Sequence, residues 1–598
     1  MILQALSEYY EYLAAEHPDR VARPGWCSRQ VAFMLELSPE GKLVGIIPSD
    51  EKRGWTKAVP EQVKRTVGIA ANLLCDNATY LLGIDAKGKP ERARQCFEAA
   101  RERHVAFLSG VDSPAARAVC GFFEAWNPAA APGDPFVAAA GEALLAGGNL
   151  VFRVNGREAL EDPAIAEAWD RAYLQPSDDA VVMTCLVSGE KAPIARLHPA
   201  IKGVAGAQSM GASLVGFNAR AFESYGHDEE QGLNAPVGER ATFAYATALN
   251  YLLADPGHHV RLGDTTVVYW ADRNDDACAE IAYDFFGGPP RGAAEAGGAS
   301  GAADAIDRSE KLIDDVMTKL SAGLPLEGVD PETNFFVLGL APNAARLSVR
   351  FFQRARFEDV LANLKRHYER LAIARAPYEK KYLSPYRLLA ETENPNAKQK
   401  AATSVLGGAL MRSILGDLPY PEALYENAIL RVRATQDNDE RRTRKVTRGR
   451  AAIVKAYLLK NKGRSEEEVT VALNEGRVDA PYVLGRLFSV LESIQEAASP
   501  GVNATIKNKY YDSASAIPSV VFPLVVKLSD RHLEKLGRDN RGLAVHYEKM
   551  RGELLGKINA FPKRLTLEEQ GDFILGYHHQ TQKRYEKKDQ DANPNQED

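Results

Sequence analysis

The 598-residue chain lacks the short motifs that identify most nucleotide-dependent and hydrolytic enzymes. Its three Gly-Lys pairs are followed by Leu, Pro and Ile, so none completes the GxxxxGK[ST] loop that cradles phosphates. No GxSxG turn, no HExxH pair and no glycine spacing typical of a dinucleotide-binding turn occurs. The sequence therefore indicates neither a P-loop ATPase nor a dehydrogenase, serine hydrolase or zinc peptidase, and we expect no cofactor.

Cysteine is scarce, and a hydrophobic run long enough to cross a bilayer is missing. The six cysteines all lie in the first half of the chain without a CxxC pair, which argues against a zinc ribbon and predicts reduced thiols. The most apolar stretch, residues 136–154, is interrupted by Glu142, Arg153 and three glycines. The N-terminal residues are charged and lack the apolar core of a signal peptide. We expect a soluble, cytoplasmic protein.

Positive charge is not in excess. The chain has 74 Lys+Arg and 80 Asp+Glu, a formal charge of −6, which argues against a uniformly basic nucleic-acid-binding surface. Cations nevertheless concentrate in four segments: beside Gly54-Trp55, along a predicted strand from Arg346, in the run 441–450, and near Tyr510-Tyr511. Their amide and aromatic neighbours suit phosphate contact and base stacking. A solvated helix face is the alternative for any one of them.

Acidic and histidine dipeptides are present but isolated. Asp178-Asp179 and His227-Asp228 have no further spaced ligands, so the sequence favours solvated loops over a metal site. His258-His259 and His578-His579 are predicted to be surface or packing residues, because adjacent side chains point to different faces. These residues therefore nominate no catalytic constellation and no metal ligand. A stand-alone metal-dependent nuclease using these carboxylates is the competing hypothesis, and a purely architectural helical scaffold is a third.

The patterns predict an α+β, multi-domain chain. Residues 1–286 alternate strand-like and helix-like segments, including a hairpin of Val31–Leu37 with Leu43–Ile47 and a helix over Glu61–Leu74. Residues 287–305 are rich in Ala, Gly and Pro and are expected to be flexible. Residues 306–403 should form a β unit with helices, and 404–598 a helical bundle. Its predicted helices are Leu406–Leu415, Pro421–Arg433, Lys445–Lys460, Ser465–Leu473, Pro481–Ala498, Pro518–Lys535, Leu543–Ile558 and Thr566–Tyr585.

Long sequence blocks distributed over the chain resemble the large subunit of the subtype I-C CRISPR Cascade, the Cas-eight-c group. The blocks are Asn72–Gly83, Leu186–Asn218, Ala221–Gly226 with Gly232–Leu253, Asn334–Phe352, Pro481–Glu496, Asn503–Ser515 and Phe573–Gln580. The resemblance implies a non-catalytic subunit that reads a protospacer-adjacent motif on double-stranded DNA and promotes duplex opening, while guide RNA supplies the remaining specificity. The implied partners are CRISPR RNA, target DNA, Cascade backbone subunits, a small subunit and a recruited helicase–nuclease.

The resemblance also implies three groups of nucleic-acid contacts. We expect the motif-reading end to contain Lys52, Arg53, Lys57 and Asn72. The Asn72 amide is suited to a base edge, although an Asn at this position equally suits a helix or turn cap. Guide-RNA or subunit contact is expected at Lys202, Gln208 and Ser209, for which a tight structural crossing is the alternative. The residues expected to bind the displaced strand are Lys507, Lys509, Arg531, His532 and Lys535.

The C-terminal bundle resembles the Cascade small subunit from about residue 481. In this subtype a separate small subunit is typically made by internal initiation within the large-subunit gene. No methionine lies between Met411 and Met550. A separate product would therefore start at a non-AUG codon near Val483 or Leu484, or at Met411 with extra helices.

Overall fold

The structure is a computed structural model that divides into two units, residues 1–199 with 215–251 and residues 200–214 with 252–598. It describes residues 1–52, 54–63, 65, 68–85, 88–175, 180–273, 275–287, 299–397, 402–441, 443–502 and 505–585, with only the backbone at 174, 275 and 299–307. Sheets occupy the N-terminal part, and no strand follows Arg356 among the described residues. The predicted α+β class is confirmed.

The first unit is built on a six-stranded sheet of order β2-β1-β5-β4, with β3 also paired to β1 and β6 to β5. Strands β1 and β5 are parallel, and the other pairs are antiparallel. Its elements in chain order are α1 (Ile2–Glu16), β1 (Trp26–Leu37), β2 (Leu43–Pro48), β3 (Trp55–Pro60), β4 (Cys75–Asn77), α2 (Ala78–Leu81), α3 (Pro90–Leu108), α4 (Pro114–Ala125), α5 (Pro135–Leu145), β5 (Asn149–Val154), β6 (Arg157–Glu158), α6 (Pro163–Leu174), the β7–β8 hairpin (Val182–Thr184, Lys191–Pro193) and α7 (Glu239–Ala254).

Local signals explain much of this unit. The predicted hairpin forms β1 and β2, and Gly41 turns between them with φ of +81°. A Cβ at Gly41 would lie 2.5 Å from the carbonyl oxygen of Ala118 on α4, so this turn requires glycine. Helices α4, α5 and α6 each begin with a proline after a capping Ser113, Asp134 or Asp162. Their apolar faces cover the sheet in one hydrophobic core.

The second unit joins a four-stranded antiparallel sheet of order β12-β11-β10-β9 to a large helical region through one continuous core. Its strands are β9 (His259–Leu262), β10 (Thr265–Ala271), β11 (Asn334–Asn343) and β12 (Arg346–Arg356). Its helices are α8 (Asp275–Phe286), α9 (Ala299–Ala322), α10 (Phe357–Leu371), α11 (Pro385–Ala390), α12 (Leu406–Leu415), α13 (Glu422–Ala434), α14 (Arg448–Asn461), α15 (Ala480–Ala498), α16 (Ile506–Ala516), α17 (Pro518–Asp539), α18 (Arg541–Gly556) and α19 (Leu567–Lys583).

Strand β12 departs from the simple alternation that its sequence suggests. Phe351 pairs with Gly339 but Val349 pairs with Leu340, so Arg350 is an extra residue in a β-bulge. The bulge shifts the pleat, and Val349 is 43% exposed while Phe351 is buried. The strand pattern of the sequence alone predicts one common face for Arg346 and Arg350, and the bulge interrupts that face.

The helical bundle matches the predicted helices except at one segment, and the structure contains one further helix that was not predicted. Residues 465–473 form turns instead of a helix, because Ser465 caps a single turn and the Val471 carbonyl then accepts a hydrogen bond from the Ala374 amide. Helix α16 was not predicted. Helix α9 begins at Ala299, inside the segment expected to be flexible, while residues 288–298 lie outside the described part of the chain.

Helices α15 and α19 cross with unusually close backbones. A Cβ on Gly485 would lie 2.8 Å from the backbone nitrogen of Tyr577 and closer still to the Phe573 carbonyl oxygen. A Cβ on Gly576 would lie 2.9 Å from the carbonyl carbon of Tyr482. Two glycines thus bring the helices together at the centre of the bundle.

Candidate nucleic-acid interface

The residues predicted for the motif-reading end do not form a single exposed cluster. Lys52 is exposed in the turn after β2, and Arg53 lies outside the described residues. Lys57 lies on β3, where its Nζ contacts the Glu158 Oε1 atom at 2.5 Å. The Lys57 charge is therefore already paired within the protein, which leaves Lys52 as the exposed cation of the group that the structure describes.

Asn72 is buried in a loop and is only 4% exposed. Its side-chain oxygen accepts the Val63 amide hydrogen at 2.9 Å, and its Nδ2 donates to Gln62 at 3.0 Å. Its backbone amide donates to the Asp76 carboxylate at 2.9 Å. These hydrogen bonds match the alternative role of Asn72, in which its side chain stabilises a turn.

The segment predicted as a helix over Glu61–Leu74 is a loop closed by a polar network, and its described residues form no helix. Arg65 donates both guanidinium ends to Asp76 and stacks over the Tyr80 ring at 3.9 Å. The Leu74 amide donates to His104, whose pKa burial lowers to about 4, so a neutral imidazole accepts that bond. These tertiary contacts outweigh the helical spacing of the apolar residues and fix the base of the loop.

The glycine-rich segment after Ala200 folds as a narrow loop in the second unit. Ile201 and Ala212 exchange two backbone hydrogen bonds of 2.9 Å, and the Ser213 amide donates to the Ala345 carbonyl at 3.0 Å. Lys202, Gln208 and Ser209 are all exposed on this loop. The structure thus brings the three residues of the predicted guide-RNA or subunit contact to one surface loop.

The arginines of β12 are engaged within the second unit. Arg350 contacts Asp264 at 2.8 Å, and Arg356 contacts Glu332 at 2.8 Å. Arg354 lies over the Phe336 ring at 5.6 Å. This cationic segment therefore contributes to packing and ion pairing of the sheet.

The run 441–450 is largely internal, although it carries six cations in ten residues. Lys445 is completely buried and its Nζ contacts Asp512 at 2.7 Å. Arg448 donates to the carbonyls of Lys380 and Lys381, and Arg450 donates to the Glu391 carbonyl. Burial lowers the pKa of both arginines. The buried cations of this run therefore hydrogen-bond backbone carbonyls inside the protein.

Lys507 was predicted to bind the displaced strand but is 7% exposed. Its Nζ lies 2.9 Å from Asp437 and 5.0 Å from the centre of the Tyr577 ring. Burial alone would lower the pKa of Lys507, but the carboxylates of Glu492 and Asp437 outweigh it and raise that pKa. Lys507 therefore does not offer its ammonium group at the surface, whereas Lys509 is exposed.

Helix α17 carries the remaining predicted cations on its solvent side. Its buried face, which includes Phe522, Val525 and Leu533, packs against α15 and α18. Arg531 and Lys535 are exposed four residues apart, and the Lys535 Nζ donates to Ser499 at 2.8 Å. His532 is half-buried beside them, and burial lowers its pKa.

Two further exposed cations extend this line and were missed by the sequence prediction. Lys527 precedes Arg531 by four residues, and Arg538 follows Lys535 by three, so all four share one helix face. We call Lys527, Arg531, Lys535 and Arg538 the α17 cation row. Within the described part of the chain, Lys527, Arg531 and Arg538 make no ion pair. The helical spacing was visible in the sequence and could have identified both residues.

The geometry of the α17 cation row suits a phosphate backbone. Successive cations are separated by about 5–6 Å along the axis, and the row spans about 16 Å. Acids on the same helix flank the row: Asp530 contacts Arg551 at 2.6 Å, and Glu534 and Asp539 are exposed. A linear set of hydrated cations is able to replace the counterions of several consecutive phosphates.

The isolated acidic and histidine dipeptides provide no metal site in the described residues, where no group of three or more potential ligands occurs. His227 and Glu230 form a local contact in an exposed loop, and Asp178-Asp179 lies outside the described residues. His578 and His579 are buried, and His578 hydrogen-bonds the Ala374 carbonyl at 2.9 Å. The helices among the described residues include none with the length and apolarity of a membrane span.

Together the fold and the surface define a multi-domain α+β protein with a helical bundle that presents a line of exposed cations. A family model described as CRISPR-associated protein (Cas_Csd1) matches residues 6–585. The chain therefore belongs to the Cas_Csd1 family of CRISPR-associated, Cascade-type proteins. A comparison with curated proteins gives no match.

Proposed function

We propose that this chain is the non-catalytic large subunit of a type I-C RNA-guided surveillance complex. In this role it recognises the protospacer-adjacent motif on double-stranded DNA, promotes duplex opening and R-loop formation, and recruits a helicase–nuclease. Guide RNA pairing supplies the remaining sequence specificity, so the protein needs only local contacts to DNA. Family membership supports the Cascade setting.

The α17 cation row is the observation that carries the nucleic-acid part of the proposal. Its cations are exposed and spaced along one helix, whereas in the four basic segments described cations such as Arg350, Lys445 and Lys507 are paired or buried. We assign the displaced strand to this row, with Lys527 and Arg538 added to Arg531 and Lys535 and with Lys507 removed. Lys509 and His532 stay as flanking contacts.

The N-terminal unit is assigned to the protospacer-adjacent motif. Exposed Lys52 supports this assignment, and the polar network that anchors the loop near Asn72 gives that region a firm base. The exposed loop that carries Lys202, Gln208 and Ser209 is assigned to guide RNA or to a neighbouring subunit.

The test is a charge-neutralised full-length chain with Lys527→Gln and Arg531→Gln. We expect weaker binding of an oligothymidylate of about 30 nucleotides, with the slope of log affinity against log salt reduced by about 1.4, that is 0.7 for each lost phosphate contact. Arg541→Gln with Lys549→Gln is the matched control, since it removes one Arg and one Lys that are exposed on the adjacent helix α18. Equal salt slopes for the two variants would refute the assignment of the row.

A separate small subunit produced from the same gene is also proposed. A start near Val483 or Leu484 would fall inside the first turn of α15 and omit Asp479, whose side chain caps that helix. It would also omit Arg477, which contacts buried Asp572 at 2.8 Å. Intact-mass measurement of the purified complex should therefore find a C-terminal product that begins upstream of Arg477, as a start at Met411 would give. A product that begins at Val483 or Leu484 would contradict this choice of start, and absence of any C-terminal product would contradict internal initiation.

A further inference from the structure

The face of α17 that carries the cation row continues toward the start of the helix as an apolar surface. Val520 is 67% exposed and Leu524 is 45% exposed, and Ile517, directly before the helix, is 38% exposed. Val520, Leu524 and Lys527 follow one another at steps of four and three residues, so they share one face. We call Ile517, Val520 and Leu524 the α17 apolar patch. The patch and the row form one continuous strip.

Two further cations lie near the start of α17, at the end of the patch that is remote from the α17 cation row. The Ser519 amide donates to the Pro562 carbonyl at 3.0 Å, and the Leu565 amide donates to the Ala516 carbonyl at 2.9 Å. These bonds hold the segment between α18 and α19 against the start of α17. Lys563 and Arg564 in that segment are exposed and make no ion pair among the described residues. The α17 apolar patch therefore lies between two sets of unpaired cations.

The chemistry of this strip fits a polymer that has regularly spaced negative charge and apolar faces. Single-stranded nucleic acid has both, because its bases are free to turn away from the phosphates. A duplex offers mainly phosphates and sugars along such a line, since its bases are stacked inside. A protein partner would need carboxylates at both ends of an apolar segment, matched to cations repeated at about 6 Å. The regular cation spacing favours the nucleic acid.

We propose that a single strand of nucleic acid runs along α17 with its bases turned onto Ile517, Val520 and Leu524 and its phosphates on the flanking cations. This inference rests on the proposed function and adds to it the side of the strand that faces the protein. Burial of an aliphatic side chain against the ring face of a base removes apolar surface from water, and every base has such a face, so the patch adds affinity without sequence preference.

The test compares a normal single strand with one that has no bases. The full-length chain with Val520→Ser and Leu524→Ser is measured against oligothymidylate and against an abasic oligodeoxynucleotide of equal length. We expect about a three- to tenfold loss of affinity for oligothymidylate, the effect of partial burial of two aliphatic side chains, and no change for the abasic strand. Val478→Ser with Val545→Ser is the matched control, because these residues are 66% and 43% exposed. The control should bind both strands like the unaltered chain.

A second measurement uses a tryptophan placed in the patch. In a Leu524→Trp chain, oligothymidylate should quench the new fluorescence by base stacking, whereas the abasic strand should not. Equal effects on both strands, or no effect of the serine variant on either, would overturn the inference. If Val520→Ser with Leu524→Ser leaves both affinities intact but releases a copurifying protein subunit, the patch is a protein interface and the inference is also overturned.

The outcomes separate this inference from the proposed function. If Lys527→Gln with Arg531→Gln weakens oligothymidylate binding but the serine variant does not, only the orientation of the bases is wrong. If neither variant weakens binding, the assignment of α17 to a displaced strand fails as a whole.

Discussion

Replacing Gly485 by alanine tests the close crossing of α15 and α19, on which the C-terminal bundle is built. The added Cβ would approach the backbone of α19 at Phe573 and Tyr577 closer than 3.0 Å, a separation that Cβ atoms essentially never show. The obstructing atoms are backbone atoms, so no side-chain rotation relieves the clash. The helices must move apart by about 1 Å, a gap at which the facing atoms lose a quarter to a half of their dispersion energy.

The expected magnitude combines two opposing effects. Overpacking of a close interface costs about 1–3 kcal/mol, and the separated helices lose further contacts along their length. Alanine has a higher helix propensity than glycine, which returns about 1 kcal/mol. We therefore expect Gly485→Ala to lower the free energy of unfolding of the bundle by about 2 kcal/mol. Since α17 packs on α15, binding of single strands should weaken as well.

The control is the same glycine-to-alanine substitution at a position where no atom would contact the new Cβ. Gly552 lies within α18, and a Cβ there would have no atom within 4 Å, so Gly552→Ala should stabilise α18 by about 0.5–1 kcal/mol. Because a chain with two units need not unfold in one step, hydrogen–deuterium exchange of the α15, α18 and α19 amides is the appropriate measurement. The reasoning is refuted if Gly485→Ala slows exchange in α15 as Gly552→Ala does in α18. Combining Gly485→Ala with Gly576→Ala should cost less than the sum, because one separation relieves both clashes.

Two other predictions concern buried ionisable groups. Lys507→Met should destabilise the bundle by about 3 kcal/mol, because Asp437 and buried Glu492 lose their cation, whereas Lys509→Met at the exposed neighbour should leave the urea midpoint unchanged. Stability should also fall as the pH drops below about 6.5, since histidines that are neutral in the fold take up protons when it unfolds, each adding a slope of about 1.4 kcal/mol per pH unit until its folded pKa is reached. Burial lowers the pKa of these histidines to about 4 in His104, His198 and His578 and to about 3 in His367 and His579. Burial raises the pKa of Glu492 and Asp572, and this acts in the opposite direction. The decisive measurement is therefore the slope of unfolding free energy against pH in two variants. His367→Gln should make that slope shallower, whereas His546→Gln at an exposed position should leave it unchanged.

Elements controlled by local signals could be predicted from the sequence. The β1–β2 hairpin follows from two apolar runs around a turn with Gly41, and most of the helices after residue 404 follow from apolar periodicity bounded by Gly or Pro. The segment 61–74 shows why the rest could not be predicted. Its apolar spacing is helical, but Asp76 accepts hydrogen bonds from the Arg65 side chain and the Asn72 amide. His104, on helix α3, accepts a further hydrogen bond from the Leu74 amide. Partners that lie outside the segment decide its structure.

The candidate site was predictable only in part, for a related reason. Counting cations in a short window singled out 441–450, but the partners that bury its charges, such as Asp512 and Glu391, are distant in sequence. The same window near Tyr510 combined buried Lys507 with exposed Lys509. Only helical spacing distinguishes the α17 cation row, because residues at steps of three and four must emerge on the same side of one helix.

The net charge of −6 is therefore a poor guide to where a polyanion is able to bind. In a short run of contiguous cations the side chains point in different directions, so some of them are buried. Lys445 and Arg450 are such cases, and they contact carboxylates or carbonyls inside the protein. Cations spaced at a helical repeat opposite a buried apolar face are held outward by the packing of that face, here by Phe522, Val525 and Leu533. Within the described residues Lys527, Arg531 and Arg538 make no ion pair, which is why we propose an external anion as the partner of this row. At physiological salt the charges of such a row act over about 8 Å, so distant charges that enter the net sum have little effect on it.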